Sequence, residues 1–150
     1  MIELLVAVGI LGLVMVAATN LFFISIKSKR KTESITSIKQ SGNYAIQIMS
    51  MMIRNAKNIG IGASCSTTQI TITNPDNQTT NFVCNTTTNK IASNSADLIS
   101  NYVTGCNFSC NTLSKPNVVT INFTLTIGNP TDILGYATQQ FKTTVSLRNY

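Results

Sequence analysis

Residues 1–26 read MIELLVAVGILGLVMVAATNLFFISI, one acidic residue followed by an apolar run. No residue from position 4 to position 26 is charged. At 1.5 Å per residue, a helix over that run would be about 34 Å long, and the hydrocarbon core of a bilayer is about 30 Å thick. The run therefore predicts a helix that can cross a membrane.

Glu3 stands at the start of this run, where a carboxylate is costly unless it is paired or kept at the interface. One interpretation is local, because an acid in the first turn of a helix complements the helix dipole by about 0.3–1 kcal/mol. The other interpretation comes from a family resemblance.

The segment IELLVAVGILGLVMVAAT, at 2–19, resembles the N-terminal segment of type IV pilins and of the pseudopilins of type II secretion and competence systems. In that family a prepilin peptidase cuts a leader that ends in Gly, and the new N-terminus is methylated. A Glu four residues further on then meets a neighbouring subunit's amine during assembly. Glu3 occupies the place of that Glu, and Gly9 and Gly12 follow it.

Two departures from the family pattern are visible. The basic leader and the Phe-Thr-Leu that usually precede the Ile-Glu pair are not part of this sequence, so peptidase processing is an expectation that concerns residues ahead of Met1. The helix-kinking Pro of many major pilins is replaced by Asn20. Minor pilins and pseudopilins often lack that Pro, so the resemblance favours them.

Two features disagree on membrane orientation. A basic cluster follows the apolar run directly, and the positive-inside rule alone would place it in the cytoplasm. Four cysteines without metal-site spacing indicate disulfides, which persist outside the cytoplasm. We expect the cysteines to decide, with the cluster near anionic inner-membrane lipid. A cleaved secretory signal would need a shorter apolar core, a basic start and a small-residue cleavage site. The cluster is Lys27, Lys29, Arg30 and Lys31; the cysteines are Cys65, Cys84, Cys106 and Cys110.

Helical periodicity continues beyond the cluster and predicts one helix to about Ile59, ended by Gly60 and Gly62. The stripe also suits a coiled-coil dimer. Small residues in the stripe favour close packing against the chain's own sheet instead. The stripe is Ile35, Ile38, Gly42, Ala45, Met49, Met52, Ala56 and Ile59.

From residue 63 the pattern changes to a period of two. Residues 69–73 and 79–84 predict a hairpin around a turn at 74–77. Residues 118–127 and 141–147 predict two further strands, and 98–104 is a weaker candidate. Loops are predicted at 93–95 and 115–117, in two stretches of turn-forming residues.

Four cysteines allow three pairings. Cys65 and Cys84 flank the predicted hairpin, so their pairing is preferred. Cys106 and Cys110 would then close the small loop CNFSC.

The composition argues against an enzyme. The chain has no His, so Ser-His and Cys-His nucleophilic arrangements are excluded. Its few acids are scattered, its cysteines lack zinc spacing, and no Gly-rich phosphate loop occurs. We expect no cofactor, no metal and no small-molecule substrate.

The net charge of +6 is concentrated in the helix. Residues 1–59 contain seven Lys or Arg against two acids, whereas residues 60–150 contain four against three. A nucleic-acid surface would need a basic stripe on the domain. The distribution therefore argues against nucleic acid as a partner.

The predicted fold is α+β, a long N-terminal helix packed on a small C-terminal antiparallel sheet domain. Its parts are a membrane or filament-core half-helix at 1–26, a basic and amphipathic half-helix at 27–59, and a pilin-like domain at 60–150. The resemblance implies a minor pilin or pseudopilin, single-pass in the inner membrane, that assembles with other pilins after prepilin peptidase processing. The alternatives are a membrane-anchored extracytoplasmic binding domain and a DNA-binding minor pilin.

Overall fold

The computed structural model describes residues 2–60, 65, 67–99, 102–111, 117–132 and 135–148. The predicted fold class is confirmed: one long N-terminal helix packs on antiparallel sheets. The elements are α1 Ile2–Asn55, β1 Asn58–Ile59, β2 Gln69–Thr73, β3 Thr79–Asn85, β4 Lys90–Ser93, β5 Ala96–Ile99, β6 Val103–Cys110, β7 Val118–Ile127 and β8 Ala137–Ser146.

Helix α1 has 54 residues and is therefore about 81 Å long. Residues 2–30 are all exposed, and one face becomes buried further on. The buried face packs on the chain's own strands, mainly β8, as the small residues of the stripe predict. Its fully buried members are Ile38, Gly42, Ala45, Met49 and Ile53.

The helix ends four residues before the predicted position. The N–H groups of Lys57 and Gly60 donate to the carbonyls of Thr73 and Thr71, both at 2.8 Å, so the chain joins β2 as strand β1. Ile59 stays fully buried within that strand. The apolar spacing typical of a helix therefore continues to Ile59, although the helix itself ends at Asn55.

Strands β1 to β5 form one antiparallel sheet in chain order, here called sheet A. The predicted β2–β3 hairpin is confirmed, with Gln69 opposite Val83 and Thr73 opposite Thr79. In its turn the Gln78 N–H donates to the Asp76 carboxylate at 2.9 Å. Of the loop predicted at 93–95, residues 94 and 95 form the tight turn between β4 and β5, whereas Ser93 belongs to β4.

Strands β6, β7 and β8 form a second antiparallel sheet, here called sheet B. Strand β7 has the predicted bounds, and β8 begins four residues before the predicted strand. The prediction of a loop at CNFSC is wrong, because these residues belong to β6 and pair with β7. The weaker candidate at 98–104 covers the end of β5 and the start of β6.

Each disulfide connects the part of the domain that contains sheet A to strand β6 of sheet B. Cys65 is bonded to Cys110, and Cys84 to Cys106, so the preferred pairing from sequence is wrong. Residues four apart on a strand are about 13 Å apart, whereas the Cα atoms of a disulfide lie within about 7 Å. Cys106 and Cys110 therefore cannot bond while β6 is a strand.

The other rejected pair is separated across sheet A. Cys65 forms a β-bridge to Ile70 on one side of β2, and on the other side of β2 Ile70 is paired with Phe82 of β3. Cys65 therefore lies two strand spacings from β3, about 10 Å. Cys84 on β3 is out of its reach for a disulfide.

A few predicted features lie outside the described residues. These are the helix-ending Gly62, most of the loop at 115–117, and the middle of the strand candidate at 98–104.

Candidate assembly surface

The first half of α1 carries a continuous apolar surface that touches no other part of the described chain. Its large apolar side chains are between 39% and 77% exposed, from Ile26 to Ile2. A Cβ added at Gly9 or Gly12 would meet nothing within 4 Å. Soluble monomers rarely expose apolar patches beyond a few hundred Å². This half-helix therefore needs an apolar partner, either lipid or another protein surface.

The same half-helix is long and apolar enough to cross a membrane, and none of that stretch is buried in the fold. Its backbone is helical throughout, so its N–H and C=O groups are satisfied internally, as a bilayer requires. The Thr19 hydroxyl is also satisfied, because it lies 3.0 Å from the Met15 carbonyl and 2.9 Å from the Val16 carbonyl.

Glu3 lies in the first turn of α1 and is exposed. Within the described residues it makes no ion pair. Its carboxylate is therefore available to a group outside this chain. The arrangement also fits the local interpretation, in which the acid complements the positive end of the helix.

The basic cluster is divided between two surroundings. Lys27, Lys29 and Arg30 are exposed, and Lys29 lies 3.8 Å from Glu33 in an exposed pair. Lys31 is half-buried.

Lys31 contacts the domain rather than facing away from it. Its ammonium group donates to the Tyr136 backbone carbonyl at 2.5 Å. The contact links the helix to the residue just ahead of β8, across 105 positions of sequence. No local sequence signal could have identified it, because a backbone carbonyl accepts whatever side chain the fold brings to it.

The scattered acids serve local structure. Asp97 pairs with Lys90 at 2.6 Å, and Asp76 accepts a hydrogen bond within its own turn. Among the residues that the structure describes, no three His, Cys, Asp or Glu side chains lie close enough to hold a metal ion.

Comparisons of the chain with protein-family models, with curated proteins and with solved structures found no match.

Proposed function

We propose that this chain is a minor pilin or pseudopilin, a structural subunit of a filament of the type IV pilus, type II secretion or competence kind. The observation that carries the proposal is the division of α1. One face of its second half is packed into the domain, whereas residues 2–30 project from the domain and are all exposed. Such an exposed half-helix can lie in the membrane before assembly and then pack against the corresponding half-helices of neighbouring subunits in a filament.

Transfer from lipid to a filament core would bury Glu3 at the apolar end of the helix. A buried carboxylate is strongly destabilising unless it is paired. A positive group at a neighbour's N-terminus would supply that partner and fix how far one subunit is displaced along the next. Contacts of this head-to-tail kind that do not close produce an open helical filament.

Replacing Glu3 tests the assembly role. In the source cells, Glu3→Gln should leave membrane insertion unchanged and abolish recovery of the chain in sheared filaments. The matched control is Glu33→Gln, which removes an exposed carboxylate outside the apolar run. Normal assembly of Glu3→Gln would contradict the proposal and favour a plain membrane-anchored extracytoplasmic domain.

Mass spectrometry of the native protein tests the processing step separately. A methylated N-terminal residue four positions ahead of Glu3 is the expected result. If the native N-terminus is neither cleaved nor methylated, the result would contradict the proposal that the chain is processed as a pilin.

A further inference from the structure

The free edge of β8 is the longest strand edge without a strand partner in the described parts of the molecule. At the edges of sheet A, β1 has two residues and β5 has four, whereas β8 has ten. The outer edge of β6 is partly used, because Phe108 N–H donates to the Thr67 carbonyl at 3.0 Å. Long unpaired edges invite pairing with another chain.

A hydrogen bond just after the end of β8 shows which of its residues point their N–H and C=O groups toward β7 and which point them toward the free edge. Leu147 N–H donates to the Asn117 carbonyl on the β7 side at 2.8 Å. In an antiparallel pair successive residues point their N–H and C=O groups to opposite sides. The odd-numbered residues of β8 therefore bond to β7, and the even-numbered residues point to the free edge.

Helix α1 packs along the face of β8, and among the described residues its hydrogen bonds to the outer edge of β8 lie at the two ends of the strand. Arg148 N–H donates to the Arg54 carbonyl at 3.1 Å, and the Tyr136 carbonyl accepts the Lys31 ammonium. Residues 138–146, between these two contacts, span about 27 Å at the usual strand rise. The even-numbered residues of that stretch are all exposed and pair with no other strand among the described residues. They are Thr138, Gln140, Lys142, Thr144 and Ser146.

A groove of about 460 Å³ runs beside this edge, between α1 and β8. Its apolar part is formed by Ile46 and Phe141. Lys39 and Lys142 stand on opposite sides, both exposed, and neither makes an ion pair within the described residues. The groove thus combines backbone groups without a strand partner, a small apolar floor and two cations. One of these backbone groups, the Gln140 carbonyl, accepts the Gln139 side-chain amide at 3.1 Å.

No carboxylate offsets those cations within the stretch. Residues 34–60 and 135–148 contain no acid, and the flanking acids, Glu33 and Asp132, lie near the end held by Lys31. A second copy of the chain would bring the same strand, with Lys142 and Arg148, against an edge that already carries them. The charge therefore favours a different polypeptide with acidic residues.

We infer that the free edge of β8 binds an extended, acidic segment of a partner protein by strand addition. Backbone pairing along such an edge supplies affinity, and the flanking side chains supply specificity. The inference concerns the domain alone and does not depend on filament assembly.

Amide hydrogen exchange on the full chain in zwitterionic micelles is the test. The probe is a short acetylated and amidated peptide that alternates Val with Glu. In the free chain, the N–H groups of Gln140, Lys142 and Thr144 should exchange fast, and those of Phe141 and Thr143 slowly. The peptide should slow the first three by about tenfold or more, as expected for new strand hydrogen bonds.

Two controls separate backbone pairing from simple attraction of charge. The same peptide N-methylated at alternate residues keeps its charge but cannot pair, and it should give no protection. The double variant Lys39→Gln with Lys142→Gln should weaken peptide binding about three- to tenfold. The matched variant Lys57→Gln with Lys90→Gln makes the same change in net charge away from the groove, just ahead of β1 and within β4, and should bind normally.

Four results would overturn the inference. One is the absence of protection with the Val-Glu peptide, and a second is equal binding of the N-methylated peptide. A third is tighter binding of single-stranded oligothymidylate with the same dependence on Lys39 and Lys142, which would indicate nucleic acid. The fourth is protection of this edge by self-association without peptide, which would assign it to a second copy.

Discussion

At the scale of single residues, the tightest approach to a described glycine is that of the Phe141 ring of β8 to Gly42 of α1. A Cβ added at Gly42 would overlap the far end of the Phe141 ring. That ring is buried and stacked on Phe123, with 5.2 Å between ring centroids. The ring therefore has little freedom to move away, and glycine is required here by close approach.

Gly42→Leu is therefore expected to lower the free energy of unfolding of the domain by up to about 2 kcal/mol. Overpacking typically costs about 1–3 kcal/mol, and it opposes a gain of about 1 kcal/mol from replacing Gly within a helix. Denaturant unfolding followed by tyrosine fluorescence measures this, because the chain has no Trp and its first Tyr is Tyr44.

Gly9→Leu is the matched control, since nothing lies within 4 Å of that position. It should leave the unfolding transition of the domain unchanged. Combining Gly42→Leu with Phe141→Ala should cost less than the two changes separately, because the new side chain can occupy the space of the ring. Additive losses would show that the Gly42–Phe141 contact is not the cause.

Sequence reasoning identified the residues of the candidate surface, but not all their contacts. The exposed apolar run was expected from sequence, because residues 4–26 carry no charge over a length that can cross a bilayer. The Lys31–Tyr136 contact was missed because it depends on tertiary geometry. The cysteine pairing was missed because CNFSC was interpreted as a loop, whereas Cys106 and Phe108 follow a strand period of two if Cys is counted as apolar.

At the scale of secondary structure, α1 is one continuous helix, but only its second half buries side chains in the domain. Ile53 is fully buried in the second half, whereas Leu11 in the first half is 59% exposed. Stability of the domain should therefore depend on the second half alone.

Ile53→Ala is expected to destabilise the domain by about 2–5 kcal/mol, since it removes buried methyl groups and leaves a cavity. Leu11→Ala should have no measurable effect on the same transition in micelles. Met51→Ala serves as a control within the second half, because its side chain is 53% exposed. A loss of domain stability in Leu11→Ala would show that the apolar half packs on the domain.

The strands were predicted unevenly, for a physical reason. Alternation identified β2, β3 and β7 because each presents one buried face over its whole length. Strands β4 and β5 have four residues each, too few for a period to be recognised. In β6 a register shift between Val103 and Gly105 interrupts the alternation.

At the scale of the whole molecule, the two disulfides connect the two sheets. One bond joins β3 to β6, and the other joins Cys65, which bridges to β2, to the end of β6. Separating sheet A from sheet B thus requires breaking covalent bonds as well as contacts. Both bonds end on sheet B because Cys106 and Cys110 both lie in β6.

Digestion with trypsin without reduction tests the connectivity. Cleavage after Lys57 and Lys90 places Cys65 and Cys84 in one peptide, and Cys106 and Cys110 in the next. The observed pairing predicts that mass spectrometry will find the two peptides linked. Two unlinked peptides, each with an internal bond, would instead support the pairing preferred from sequence.

Chymotrypsin distinguishes the remaining possibilities. After denaturation without reduction, cleavage at Phe82, Tyr102 and Phe108 separates all four cysteines. Each disulfide then joins two identifiable fragments, and a bond between Cys65 and Cys106 would contradict the structure.

The bond between Cys65 and Cys110 also determines how the molecule carries a mechanical load. These residues are 45 positions apart in sequence, a length that would extend to roughly 150–160 Å if it were released. Tension between the N-terminal helix and the C-terminal strand passes across the disulfide and bypasses everything between the two cysteines. While it is oxidised, the domain can lose its helix contacts under tension but cannot lengthen through β2 to β6; reduction would turn a short link into an extensible tether.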